Sequence, residues 1–377
     1  MILGINALST KSGGGISSVV FLLKNARWKD YGWSGVVVYT HPDLAKKIES
    51  HPSLKVVTIS EDLSFLGRWW WEVKTLPQLI KKDGVGLLWL VSGYGRAGPL
   101  PTVSALQNQL PFDPRSLSLF TRWDPFRLKM QLLRRWITSG LKNSTGTVFL
   151  SQDSLNRVKA QGLAIPADFV VNPFGIERRF FQNHEKRELR DQIRVCYVST
   201  VFPYKHHLQV VRTIHQLREE GFPVELTLVG DGPSRYLEPL RAEMSRLDPG
   251  SIYMHYLGAV DFTKMPEIYS NTDVFLYASS CETFGAILLE AMAASLPIVS
   301  SSVGPMRELL GENGFYFDPF REGEMFTALK QMFELSVEKR KSLGDAAQAR
   351  AQAMTWDSYT ERMFSFFRHI AIKAKKS

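Results

Sequence analysis

Short apolar runs alternate with amphipathic stretches along most of the chain. In the second half, Arg194–Ser199 reads as a β-rich run followed by a turn at Pro203. Residues 206–220 then place Leu208, Val211, Ile214 and Leu217 on one helical face, and Gly221 fits a C-cap. Val224–Val229 reads as the next strand, closed by Gly230-Asp231-Gly232. Helices are predicted over Tyr236–Arg246, Met265–Ser270 and Phe284–Ala294, and strands over Tyr253–Leu257, Val274–Tyr277 and Ile298–Ser300. The strands have nearly continuous apolar centres and alternate with helices, which is the pattern of a parallel sheet covered on both faces. The first half reads similarly. Ile2–Ile5 is a strand, followed by a Gly-rich loop and a helix over residues 16–25; Val36–Tyr39, Val56–Ile59, Leu87–Leu90 and Val148–Leu150 are further strands. The stretch 359–373 is amphipathic and helical.

The expected architecture is α/β: two doubly wound Rossmann-like domains in tandem. The first covers residues 1–190 and the second 191–355, with a C-terminal helix over 356–377 that packs back on the first. The seam is placed at 190–194, after the polar run Gln182–Arg190. A length of 377 residues accommodates two such domains, each able to bury a core without disulfides or metals. Ligands of such sheets bind outside the carboxyl ends of the strands, so the functional residues are expected in strand-to-helix loops around one cleft.

Composition narrows the classes. The two cysteines, Cys196 and Cys281, form no Cys-x-x-Cys, and the eight histidines show no ligand spacing. This argues against a disulfide scaffold and a structural zinc site, and fits a reducing compartment. Adjacent His206 and His207 point apart and read as polar residues at a helix start. MILGINALST lacks a charged n-region and a long apolar h-region, so no cleaved signal peptide is expected, and no run is long enough to span a bilayer. Residues 1–190 carry 26 Lys+Arg against 14 Asp+Glu, and the rest 20 against 23. The first half should face an anionic partner.

The sharpest constellation is Cys281-Glu282-Thr283-Phe284-Gly285-Ala286 running into a helix that contains Glu290. The N–H groups at that helix start suit a pyrophosphate. Eight residues separate the two glutamates by about 12 Å of backbone, so their side chains can flank a phosphate there. Glu290 lies among Ala, Ile, Leu and Met, where a carboxylate is costly without a partner. Lys205 follows the strand Arg194–Ser199 through a turn and is placed to neutralise a leaving diphosphate. Gly13-Gly14-Gly15 follows the first strand and allows close backbone approach, although it is no Walker loop. Gln107 and Asn108 follow the apolar Thr102–Leu106.

The Glu-x7-Glu segment with Phe-Gly after its first glutamate resembles that of the retaining GT-B glycosyltransferases of family-4 type. Further segments resemble the family in the same order: Leu228–Pro233, Tyr256-Leu257-Gly258, and Pro297–Ser300 followed by Gly304 and Glu308. In the first half only Gly13-Gly14-Gly15 and the general layout do so. The resemblance implies sugar transfer from a nucleotide donor with retention at the anomeric carbon, without a metal or other cofactor. It implies that Glu282 contacts donor sugar hydroxyls and Glu290 the ribose, with Phe284, Gly285 and Ala286 at the phosphates. Leu257 to Val260 would line the base pocket, and Gly14, Gly15, Thr200 and Gly230 would border the donor. Lys205, Glu282 and Asn108 would be the catalytic set. Two positions depart from the family. Thr200 stands where an Arg is usual, leaving Arg212 or a residue of the other domain to replace that charge. Gln107 and Asn108 stand where His or Asp is usual.

Residues 122–142 carry six basic side chains and one acid, interleaved with Phe126, Leu128, Met130, Leu132, Leu133, Trp136 and Ile137. Such a helix suits either an anionic membrane surface or the domain core with solvated charges. Trp69-Trp70-Trp71 is a second candidate contact. The expected partners are a nucleotide-sugar donor, a glycan or polyprenyl-diphosphate-linked acceptor and an anionic membrane, with no nucleic acid. The expected place is cytoplasmic, on the inner face of the plasma membrane when docked. A nucleotide-sugar epimerase and an inactive membrane-docked scaffold stand as alternatives.

Overall fold

The structure is a computed structural model and describes residues 1–10, 13–59, 63–95, 99–182 and 192–375. The chain forms two compact units. The first comprises Met1–Phe112, Trp123–Gly175 and Thr355–Ser377; the second comprises Asp113–Arg122 and Ile176–Met354. The polar run expected to mark the seam falls largely on residues outside those described.

The first unit holds seven parallel strands: β1 (Ile2–Asn6), β2 (Gly35–Thr40), β3 (Leu54–Thr58), β4 (Val85–Leu90), β5 (Thr102–Leu106), β6 (Gly146–Phe149) and β7 (Asp168–Val171). Their order is β3-β2-β1-β4-β5-β6-β7. The central strands are buried on both faces, as their unbroken apolar runs require. Asp168–Val171 is a strand the apolar pattern does not reveal, because its side chains are only half-buried at the sheet edge.

The helix Trp356–Ala374 completes this unit. Trp356 stacks on Phe21 at 4.5 Å between centroids, Phe364 on Tyr31 and Phe367 against Trp89. Gly175 makes the start of this helix fit, since a Cβ there would lie 2.1 Å from the Trp356 nitrogen.

The second unit holds six parallel strands: β8 (Ile193–Val198), β9 (Val224–Val229), β10 (Met254–Tyr256), β11 (Val274–Tyr277), β12 (Ile298–Ser301) and β13 (Gly314–Phe317). Their order is β10-β9-β8-β11-β12-β13, so it reverses between β8 and β11. That switch point leaves a crevice at the carboxyl ends of these two strands, where doubly wound sheets take their ligands.

Asp113–Arg122 is flanked in sequence by the first unit but packs in the second. Asp113 caps its short helix by accepting from the Ser116 N–H at 3.1 Å. The Ser116 and Ser280 hydroxyls are 2.9 Å apart, and Arg115 pairs with Asp318 at 2.9 Å. Nothing in the local sequence marks this excursion.

Gly175→Ala should cost about 1–3 kcal/mol by overpacking, read as a lower urea midpoint with an unchanged slope. An unchanged midpoint would show that the helix start yields freely.

Candidate active site

The loops after β8 and β11 meet at the switch point. The Lys205 ammonium donates to Oε1 of Glu282, and the Tyr277 hydroxyl donates to the same oxygen at 2.8 Å. Lys205 is only 7% exposed. A buried ammonium needs such a partner, because its desolvation is otherwise uncompensated. The two loops are also laced through their backbones. The Ser280 N–H and hydroxyl both donate to the Tyr204 carbonyl, at 2.9 and 3.1 Å, and the Tyr197 hydroxyl donates to the Lys205 carbonyl at 2.7 Å. Phe120 packs against Tyr204 from Asp113–Arg122.

The helix expected over Phe284–Ala294 spans Ala286–Ala293. It begins two residues later because Gly285 turns the chain at φ +100°, a conformation open to glycine. Phe284 is buried beside it. No side chain caps this helix, so its first-turn N–H groups have no acceptor from a capping residue. These N–H groups and the helix dipole form an anion-binding end. Glu282 precedes it, and Glu290 lies one turn inside.

Glu290 has the partner that its apolar surroundings demand: the Tyr269 hydroxyl donates to its Oε2 at 2.8 Å. Its edge remains partly accessible while the atoms around it desolvate the carboxyl, pushing it up to about 7. The bond from Tyr269 and the positive charge of Arg179 oppose that rise, and Glu177 adds to it.

The other predicted residues of this unit line the same carboxyl end. Gly230 is required where it stands, because a Cβ there would lie 2.0 Å from the Ser199 carbonyl oxygen at a φ of +134°. Its N–H donates to the Gly258 carbonyl at 2.8 Å, and its carbonyl accepts from the Tyr256 hydroxyl at 2.8 Å. This ties the turn after β9 to the loop that carries Leu257, which is exposed, and Val260, which is half-buried. Thr200 is exposed at the end of β8. Arg212 lies on the exposed side of the helix His207–Glu219, where its Nε donates to Glu243 at 2.6 Å beside Arg246. Its charge is thus already engaged.

Gly14, Gly15 and Asn108 belong to the first unit. A Cβ on Gly14 would meet the Phe174 ring at 2.3 Å, and one on Gly15 would meet Oε1 of Gln107 at 2.6 Å. These two glycines are therefore required for packing within that unit. The helix they open spans Gly14–Leu23, two residues earlier than the apolar pattern indicates. Asn108 closes a local turn, its Oδ1 accepting from the Leu110 N–H at 3.1 Å.

His206 adopts φ +56°, which places a non-glycine residue in the left-handed region at the end of the Lys205 turn. Burial pulls His206 down to about 4 and His207 to about 3, so both are neutral near pH 7. Among the described residues no three of His, Cys, Asp and Glu are grouped to hold a metal ion. Sequence reasoning missed Tyr277 and Tyr269. Tyr277 is the last residue of a predicted strand and Tyr269 lies in the short helix Met265–Ser270, so neither position stands out locally.

Two parallel Rossmann-like units of this topology define the α/β class to which the GT-B proteins belong. Residues 192–334 match the model of the family Glycosyl transferases group 1. Among curated relatives, the GPI3 subunit of phosphatidylinositol N-acetylglucosaminyltransferase from Saccharomyces cerevisiae is 24% identical over 188 residues, covering 50% of this chain and 41% of that protein. The chain thus spans less than half of that relative's length. Sucrose-phosphate synthase from Thermosynechococcus elongatus superposes with a TM-score of 0.76 over 98% of both chains at 18% identity. Anabaena Alr3699/HepE, solved in complex with UDP-glucose, gives 0.73 over 96% of this chain and 98% of that one at 18% identity. At these identities the two structures speak for the fold.

The raised Glu290 carboxyl has a consequence for stability. Between about pH 4.5 and 7 the folded state binds more protons at Glu290 than the unfolded state, so its contribution falls as pH rises through that window. Glu290→Gln should gain in melting temperature over wild type from pH 5 to pH 8. The gain should be about 2–4 °C per kcal/mol relieved. Parallel curves for the two proteins would show that Glu290 is not desolvated.

Proposed function

We propose that this chain is a retaining glycosyltransferase moving a hexose or deoxyhexose from a nucleoside-diphosphate sugar to a glycan acceptor, without a metal ion. The observation that carries this reading is the pair of glutamates around an uncapped helix start, with Lys205 held on the first. In this reading Glu282 accepts from the sugar hydroxyls, Glu290 accepts from the ribose, and the diphosphate lies over the N–H groups of Ala286 and its neighbours. Phe284 and Gly285 shape that approach. Leu257 and Val260 line the base pocket, with Gly230 and Thr200 at its border. The bond between the anomeric carbon and the phosphate oxygen breaks as the acceptor oxygen bonds to that carbon. A donor phosphate oxygen takes the acceptor proton on the same face. Lys205 and the helix end stabilise the charge on the departing diphosphate.

The acceptor of this reading is carried on a lipid, such as a polyprenyl diphosphate bearing a bacterial surface polysaccharide or lipopolysaccharide chain. The enzyme works in the cytoplasm against the inner face of the plasma membrane. Support comes from the first unit. The helix Pro125–Asn143 turns Met130, Leu133 and Ile137 into the core while Leu128 and Leu132 stay exposed among its basic residues. Trp71 is buried, whereas Trp70 is 58% and Trp123 81% exposed, and Trp69 stacks on Trp136 at 6.1 Å. Exposed tryptophans among cations suit an anionic interface. The name of the yeast relative likewise places its sugar on a lipid. No helix among the described residues is long and apolar enough to cross a membrane.

A thermal-shift screen with UDP-, GDP-, dTDP- and ADP-sugars tests the donor site, since a ligand of the folded state raises the midpoint by mass action. One base should give a clear shift that Glu290→Ala abolishes. No shift with any of them, or an unchanged shift in the variant, would refute the donor assignment.

Docking is read by flotation with phosphatidylglycerol and phosphatidylcholine vesicles. The protein should float with the anionic vesicles alone, and the W70A/W123A variant should float at least several-fold less. Equal flotation with both lipids, or no effect of the variant, would exclude this face.

A further inference from the structure

The two glutamates are held in the same way. Each accepts a 2.8 Å bond from a buried tyrosine: Glu282 through Oε1 from Tyr277, and Glu290 through Oε2 from Tyr269. Lys205 is bound to the oxygen that Tyr277 already holds. Oε2 of Glu282 and Oε1 of Glu290 have no protein partner among the described residues. A carboxylate offers about four acceptor positions, so one oxygen of each side chain is tethered and the other retains its capacity.

The tethers are rigid. Phe275 and Tyr277 are two apart on β11 and point to the same face of the sheet. Phe275 stacks on Tyr277 at 6.3 Å and meets Tyr269 edge-on at 5.8 Å, and Phe180 also meets Tyr269 edge-on at 6.0 Å. Phe180, Tyr269, Phe275 and Tyr277 thus form one continuous run of packed rings. Tyr269 and Tyr277 are at most 1% exposed, so neither hydroxyl can swing toward water. A phenylalanine would fill either position equally well. A buried phenol is tolerated only when bonded, and each of these donates to a glutamate. Burial keeps both phenols protonated well beyond neutral pH, so they remain donors.

We propose that Tyr277 and Tyr269 are positioning residues, the first fixing Glu282 so that Oε2 meets the hydroxyls of the transferred sugar, the second fixing Glu290 so that Oε1 meets the ribose. The assignment rests on the donor site described above and adds a division of labour. Tyr269 governs recognition of the nucleoside, and Tyr277 governs recognition of the sugar. Among the described residues Arg179 and Glu177 are the other charged groups acting on Glu290, and the bond from Tyr269 holds its carboxyl lower than burial alone would. Losing that bond therefore raises the pH at which the carboxyl ionises.

The test uses Y269F and Y277F, with UDP, GDP, dTDP and ADP as probes and the matching sugar nucleotides beside them. For whichever diphosphate binds wild type, Y269F should raise Kd about tenfold, the size of a lost bond to a charged group. The acid limb of its affinity should move to higher pH. With the 2′,3′-dideoxy form of the same nucleotide, wild type and Y269F should bind alike. Y277F should leave the Kd of the diphosphate within twofold, while losing the extra melting shift that the sugar nucleotide gives over its diphosphate. Wild-type binding in both variants for both ligand classes would overturn the assignment and leave the donor site standing. Binding of none of the four diphosphates to wild type would overturn the donor site and the assignment with it. If Y269F loses its cooperative melt, the Y277F comparison decides alone: an intact sugar increment overturns the proposal.

Discussion

The contact between Lys205 and Glu282 is the interaction around which the second unit is arranged. A buried ammonium needs a counter-charge, and that counter-charge arrives from a loop 77 residues further along the chain. The two meet because the order of the parallel sheet reverses between β8 and β11, which places the loops after these strands side by side. The Tyr204 carbonyl, bonded twice by Ser280, keeps the loops in register, and Ser116 supports Ser280 from the excursion Asp113–Arg122. Charge neutralisation, loop lacing and strand order thus act on the same few residues. A change to any of them is felt at the helix start next to Glu282.

That helix start combines two demands that elsewhere conflict. A buried helix end is normally satisfied by a capping side chain, and here Gly285 supplies none. A carboxylate inside an apolar helix is normally excluded, and here Glu290 is retained with its ionisation pushed to about 7. Both features cost stability in the absence of a ligand. Both are suited to one that is negatively charged at one end and rich in hydroxyls at the other. Local departures from the rules of folding often collect at binding sites, because an unmet hydrogen-bonding capacity is what a ligand satisfies.

The first unit contributes differently. Gly14 and Gly15 look like ligand-cradling glycines in sequence, yet their missing side chains are accounted for by Phe174 and Gln107 pressed against them. The Trp69-Trp70-Trp71 run divides between core and surface by helical geometry, with Trp71 inward and Trp70 outward. One stretch of sequence therefore serves packing and exposure together, which no count of aromatic residues could apportion.

The apolar periodicity by itself determined the alternation of strands and helices, the parallel sheets, the placement of Lys205 and Glu282 in loops after strands, and that of Glu290 in the helix that follows. These follow from which side chains must leave water and from local backbone preferences, both of which act over a few residues. Edge strands such as Asp168–Val171, where burial is partial, left only a faint signal. Tertiary structure alone decided that Tyr277 and Tyr269 hold the two glutamates, that Lys205 shares an oxygen with Tyr277, that Arg212 is engaged by Glu243, and that Asp113–Arg122 packs in the second unit. Each of these joins elements separated in the chain. Hydrogen bonds and ion pairs need their atoms within about 3 Å, and only the packed sheet sets such distances.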